Sequence, residues 1–208
     1  MRQLKEIVPP ECWRDKWIEA SELFQQEDRK GALAILKELA DRGVYGAYFE
    51  MGRIYEQGKG GVTKDLKRAK ACYETLLDLG DIGARIALVR MYLDIHNSYG
   101  DMRDYSKAME LLTPIQSLEE PGALYALGLI YEHGWGVQSD RSEAIHYYER
   151  SSDAEHVLAL MRLGFLLMKQ PSTFFRGVKL WAKGYCRHAR IVWELHGSNE
   201  DRRLGIYW

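Results

Sequence analysis

The side chains able to do chemistry in this chain are scattered along it. Six histidines, His96, His133, His146, His156, His188 and His196, could serve acid–base work or metal ligation, yet none forms an HExxH or other short ligand pair. Cys12, Cys72 and Cys186 are widely separated and odd in number, which argues against a disulfide framework or a zinc motif. No nucleophile elbow or paired-carboxylate motif stands out among the charged stretches. The Gly-rich segment EQGKGGVTKD could cradle an anion, but no strand precedes it and the Walker spacing is absent. Its glycines read as turn chemistry. No catalytic residue, metal ligand or cofactor is therefore assigned.

Positive charge does gather in one place. Between His156 and Trp193 there is no Asp or Glu, while Arg162, Lys169, Arg176, Lys179, Lys183, Arg187 and Arg190 are all basic. The last five are spaced 3, 4, 4 and 3, which puts them on one face of a helix. Val178, Trp181, Tyr185, Ala189 and Val192 run beside them as an apolar stripe, so residues 174–195 read as a basic amphipathic helix. Gly177 and Gly184 weaken that helix, and a break near Gly184 is one expectation. Three uses stay open for it. It caps the chain with its apolar stripe on the last repeat and its basic stripe in water, or it docks an acidic protein, or it binds nucleic acid or anionic membrane weakly.

The elements that must position these side chains repeat. YGAYFEMGRIYEQGKGGVTKDLKRAKACYETLLDLGD and PGALYALGLIYEHGWGVQSDRSEAIHYYERSSDAE align Gly52 with Gly128, Tyr55 with Tyr131, Gly58 with Gly134 and Ala69 with Ala144. With a small residue and the position five places later as the ruler, Ala47/Gly52, Ala84/Val89, Ala123/Gly128 and Ala159/Gly164 follow at intervals of 37, 39 and 36 residues. Such a unit is too small to bury its own apolar face and must stack on neighbours, which predicts a helical solenoid. Ala and Gly at these positions let helices approach closely, and Tyr55 and Tyr131 supply the bulky counterpart. The glycines of each turn suit positive φ at a helix end, and Asp65 and Asp140 suit the start of the next helix. Upstream, ECWRDKWIEASELFQQ and GALAILKELADRG read as a divergent first pair.

This pattern of small residue, apolar residue, Gly, Tyr, Gly, Gly-Val, acid and Ala resembles the Sel1-like repeat family, a branch of the tetratricopeptide-like helical repeats. It is carried by Ala47, Met51, Gly52, Tyr55, Gly58, Gly61, Val62, Asp65 and Ala69, and again by Ala123, Leu127, Gly128, Tyr131, Gly134, Gly136, Val137, Asp140 and Ala144. The third unit departs from it, with Val89 for the helix Gly and IHNSYGDMRDYSKA for the Gly-rich turn. The resemblance implies an all-α, right-handed α-solenoid of about five antiparallel helix pairs. One domain is expected over 1–208, with a divergent N-terminal cap at 1–43, three repeats at 44–155, and the last repeat with the basic cap at 156–208.

The same resemblance implies a non-catalytic adaptor or scaffold that binds a protein or peptide. Neutralisation of one cognate protein, such as a toxin, is the architectural alternative. First helices of tetratricopeptide-like pairs line a concave face, which marks Phe49, Arg53, Ile86, Arg90, Tyr125, Leu129, Leu160 and Phe165 as partner-facing. Aromatic and Arg anchors of this kind usually dominate binding. The competing reading makes Phe49, Tyr125 and Phe165 core residues.

Composition fits a soluble helical domain: 46% hydrophobic residues, five prolines and a net charge of −1 over 208 residues. No apolar run is long enough to span a bilayer, and MRQLKEIVPPECW lacks a signal-peptide core, so a cytoplasmic setting is expected. The aromatic tail GIYW at 205–208 is expected to fold back on the final helix or to meet a second subunit, giving a monomer or a homodimer.

Overall fold

In the computed structural model the described residues are 11–94 and 102–197, and they form ten α-helices with no strand among them. The aromatic tail and the first half of the third unit's unusual turn lie outside those residues. The helices are α1 (Glu11–Gln25), α2 (Arg29–Asp41), α3 (Gly46–Gln57), α4 (Leu66–Asp78), α5 (Ile82–Leu93), α6 (Tyr105–Leu112), α7 (Pro121–His133), α8 (Arg141–Asp153), α9 (Val157–Met168) and α10 (Phe174–Gly197). They fall into two compact units, Met1–Arg103 and Asp104–Trp208. In the first, α1 to α5 pack each on the next; in the second, α7 packs on α8, α8 on α9 and α9 on α10. The architecture is the all-α helical repeat expected.

Acidic residues start most of these helices. Side chains of Asp28, Asp65, Asp81, Asp104, Glu120 and Asp140 accept hydrogen bonds from backbone N–H groups of the first turns of α2, α4, α5, α6, α7 and α8. Each cap satisfies a donor that the helix itself leaves unpaired. His156 Nδ1 does the same for Ala159 at the head of α9. Gly58 and Gly134 close α3 and α7 at φ 61° and 71°, a conformation that favours glycine.

The bulky counterpart of the repeat glycines is corrected from Tyr55 and Tyr131 to Tyr73 and Tyr148, which reach them from the second helix of each pair. A Cβ on Gly52 would lie 2.6 Å from Tyr73 Cε1, and one on Gly128 would lie 2.5 Å from Tyr148 Cδ1. Tyr73 and Tyr148 are fully buried. At the corresponding places the third unit has Val89 and Leu112, both also fully buried, so it replaces a glycine and an aromatic with two aliphatics.

The last helix corrects two expectations. It runs without a break through Gly184, because Gly177 and Gly184 are buried against α9 and make contact where a larger side chain would hold the helices apart. The face on α9 is thus the glycine face, and the apolar stripe does not cover the last repeat. Val178, Trp181 and Tyr185 remain 39%, 38% and 53% exposed.

Candidate partner-binding surface

In the first unit the helix rows bring Phe49, Arg53, Ile86 and Arg90 to half-buried positions on α3 and α5. Glu56, one turn after Gly52, accepts a hydrogen bond from Tyr73 Oη at 2.8 Å and two from Arg90 Nη2 at 2.5 and 2.6 Å. Three helices are tied through that one carboxylate. Phe49 packs on Tyr73 with ring centroids 5.6 Å apart. Arg53 pairs with Glu50 at 3.2 Å and lies over the ring of Phe24 from α1. Both guanidinium groups are therefore held in fixed orientations beside apolar side chains.

The second unit repeats the device. Glu132 accepts from Tyr148 Oη at 2.7 Å and pairs with Arg162 of α9 at 3.4 Å. Its partner-facing row differs. Tyr125, Leu129 and Leu160 are buried, with Tyr125 stacked on His156 at 4.8 Å and tilted against Tyr148 at 5.8 Å. These three residues are core in the structure: every residue from Gly122 to Ile130 on α7 is buried, and Leu160 on α9 is buried beside Val157, Ala159 and Leu163. Phe165 stays open at 47% exposure, with Lys169 Nζ 4.9 Å from its ring centroid.

Glu56, Tyr73, Glu132, Tyr148 and the structural role of Arg162 escaped sequence reasoning. A signal for them exists in register: each Glu stands four residues after the repeat Gly, and each Tyr four after the repeat Ala. Burial, then the charge of the neighbouring carboxylate, pushes the Tyr73 and Tyr148 hydroxyls far above the ordinary tyrosine range. Unfolded tyrosines ionise near pH 10, so the stability linked to these protons is present below about pH 10 and lost as pH rises beyond it. The unfolding free energy from urea titration should fall steeply from about pH 10 upward, by up to about 1.4 kcal/mol per pH unit for each tyrosine. The combined Tyr73→Phe and Tyr148→Phe change should flatten that fall, and an unaltered slope would contradict it.

The five basic residues of α10 do share a face, and salt bridges tie Arg176 and Arg187 to the rest of the unit. Arg176 pairs with Glu149 at 3.0 Å and Arg187 with Glu155 at 3.6 Å. Lys179, Lys183 and Arg190 are exposed. No group of three or more His, Cys, Asp or Glu side chains among the described residues could hold a metal ion.

Against known proteins, the Sel1 repeat family model matches residues 46–81, 96–114 and 121–156. The Sel1-repeat-containing protein YjcO of Escherichia coli K12 is 32% identical over 108 residues, a match that covers 50% of this chain and 43% of YjcO. The chain thus spans less than half the length of the curated relatives it matches. A Sel1 repeat protein from Oxalobacter formigenes superposes with a TM-score of 0.67 at 22% identity, over 84% of this chain and 71% of that one. The protective antigen c5321 of uropathogenic E. coli, which displays an SLR fold, superposes with a TM-score of 0.64 at 18% identity, over 82% of this chain and 38% of that one. At those identities the likeness is one of fold.

Proposed function

The chain belongs to the Sel1 repeat family through these repeats, and on that premise we propose that it is a non-catalytic interaction module holding a partner protein or peptide on its repeat surface. Sel1 repeat proteins generally mediate protein–protein interaction. The observation that carries the reading is the fixed setting of Arg53 and Arg90 beside Phe49 and Ile86. An Arg already held in place loses little freedom on binding, and aromatic and Arg anchors supply most interface energy. Phe165 offers a similar exposed anchor on the second unit. An adaptor or scaffold is the role this arrangement suits.

A cytoplasmic setting is part of the reading. Cys72 and Cys186 are both unpaired, and burial pushes the Cys72 thiol up to about 11. Unpaired thiols suit a reducing compartment. No described helix is long and apolar enough to cross a membrane.

The test is capture of partners from host lysate by the whole chain, with and without nuclease, alongside Arg53→Ala, Ile86→Glu and Phe165→Ala. We expect proteins that persist through nuclease and weaken at least about tenfold in one or more variants whose melting is unchanged, as loss of a binding anchor predicts. Loss of all captured material on nuclease treatment would transfer the function to the basic helix. Undiminished capture by all three variants would remove the repeat face from the account.

A further inference from the structure

Helix α10 turns its glycine face, Gly177 and Gly184, to α9. At about 100° per residue, Trp181, Phe174, Tyr185, Val178 and Phe175 fall in one sector of about 120° on the flank of that contact, with Val178 at its middle. All five are exposed, Phe175 to 84% and the others between 38% and 53%. Trp181 stacks on Tyr185 at 5.4 Å, and Phe174 meets Phe175 edge-on at 5.6 Å, so the rings are already set along the helix. Ala182 and Ala189, exposed and uncharged, lie between Val178 and Phe175 on the wheel. The nearest Lys or Arg is Lys179, about 100° from Val178. The other basic residues of the helix lie further round, where Arg176 and Arg187 meet Glu149 and Glu155.

We propose that this sector pairs with the same sector of a second copy of the chain, the two α10 helices lying antiparallel about a two-fold axis. The spacing makes the face self-complementary. Phe174, Val178, Trp181 and Tyr185 stand 4, 3 and 4 residues apart, a series that reads the same in both directions. An antiparallel copy therefore sets Val178 of one chain against Trp181 of the other, and Phe174 against Tyr185. A small side chain meets the largest one, twice by symmetry. Area agrees with a weak dimer. With roughly 150–250 Å² for a buried aromatic side chain, the exposed fractions leave about 500 Å² open per copy, and pairing would bury about 1,000 Å² in all, the lower bound of a specific interface. Charge agrees as well. The basic faces turn away from the joint, so two copies meet without like charges opposed. A partner helix whose stripe is bordered by charge would bury that charge against Ala182 and Ala189, which offer it nothing in return. The second copy brings only alanines there. An anionic lipid surface draws on cations at the rim of an apolar face, and of those only Lys179 comes near.

The experiment follows the purified whole chain by sedimentation velocity from about 1 µM to about 300 µM, the range in which an interface of this size associates. We expect a monomer at the lower end and a dimer at the upper. Val178→Asp should abolish the dimer, and Lys183→Glu, on the far side of the helix, should leave it unchanged. Both should keep wild-type circular dichroism and melting at the concentration where the chain is monomeric. Val178→Trp and Trp181→Val should each weaken pairing at least about tenfold, and the two together should restore it to within about threefold, because each new side chain then faces its complement. A chain that stays monomeric throughout, a dimer that survives Val178→Asp, or a double variant no better than either single one would overturn the proposal. So would a dimer that forms only after residues 198–208 are removed, which would assign the sector to the chain's own C-terminal segment. A monomer that co-sediments with phosphatidylserine vesicles and loses them on Val178→Asp would likewise overturn it by assigning the sector to a lipid surface. Only the purified chain is used, so none of these results bears on the capture of partners from lysate.

Discussion

Replacing Gly164 by Ala lowers the stability of the second unit by about 2 kcal/mol, even though Ala is the better helix former. In isolation the exchange would favour α9 by about 1 kcal/mol. The new Cβ, however, would lie 2.5 Å from Trp181 N and 2.8 Å from both Gly177 O and Trp181 Cα. All three are backbone atoms of α10, and no rotamer can move them. Gly177 faces the same constraint in reverse, since its Cβ would lie 2.6 Å from Met168 N and 2.7 Å from Gly164 O. Relief requires α10 to lift from α9, which costs the contact along the crossing and typically outweighs the propensity gain by 1–3 kcal/mol or so. Gly184→Ala is the internal control. Its nearest obstruction is Met161 Cγ at 2.6 Å, a side-chain atom that can rotate aside, and its nearest backbone atom is Met161 N at 3.2 Å, so its loss should be the smaller, about 1 kcal/mol or less. Urea unfolding of both variants decides the matter. Equal losses would mean that the glycine crossing does not set the place of α10.

Those glycines also show where sequence and structure part. Helix propensity counts Gly177 and Gly184 as weaknesses, and an apolar stripe is the usual packing face, so sequence reasoning places the wrong face of α10 on the last repeat. Packing reverses the inference because glycine on both helices permits backbone contact, which leaves the larger apolar residues for the outside. The repeat frame, by contrast, is plain in the spacing of Ala47, Ala84, Ala123 and Ala159, since stacking demands a small residue at each close approach. Asp65 and Asp140 are also legible as caps because a cap is local chemistry. The partner-facing row divides between these cases. Half-buried Phe49 and Arg53 lie on α3, which has a polar side, and Ile86 and Arg90 on α5, which Arg85 and Arg90 keep from closing over entirely, whereas α7 is apolar all round, GALYALGLI, and such a helix is buried whichever residues the frame nominates.

Truncating Glu56 to Ala should cost about 3 kcal/mol. The change leaves the buried Tyr73 hydroxyl and the Arg90 guanidinium without their shared acceptor. An unsatisfied buried donor costs about 1–3 kcal/mol, and a charge stripped of its partner costs more. Side-chain exposures of 21% for Arg90 and 13% for Glu56 leave water some access and keep the loss near the lower part of that combined range. Tyr73→Phe alone removes one hydrogen bond and should cost about 1 kcal/mol. The third unit points to the remedy, since it has Leu93 where the frame would place the carboxylate and Leu112 where it would place the tyrosine, both fully buried. Converting the cluster as a whole, with Glu56→Leu, Tyr73→Phe and Arg90→Met together, removes every group left wanting a partner and should recover most of what Glu56→Ala loses. Chemical unfolding of the single and triple variants tests this. A triple variant as unstable as Glu56→Ala would show that the loss comes from packing, with the shared carboxylate contributing little.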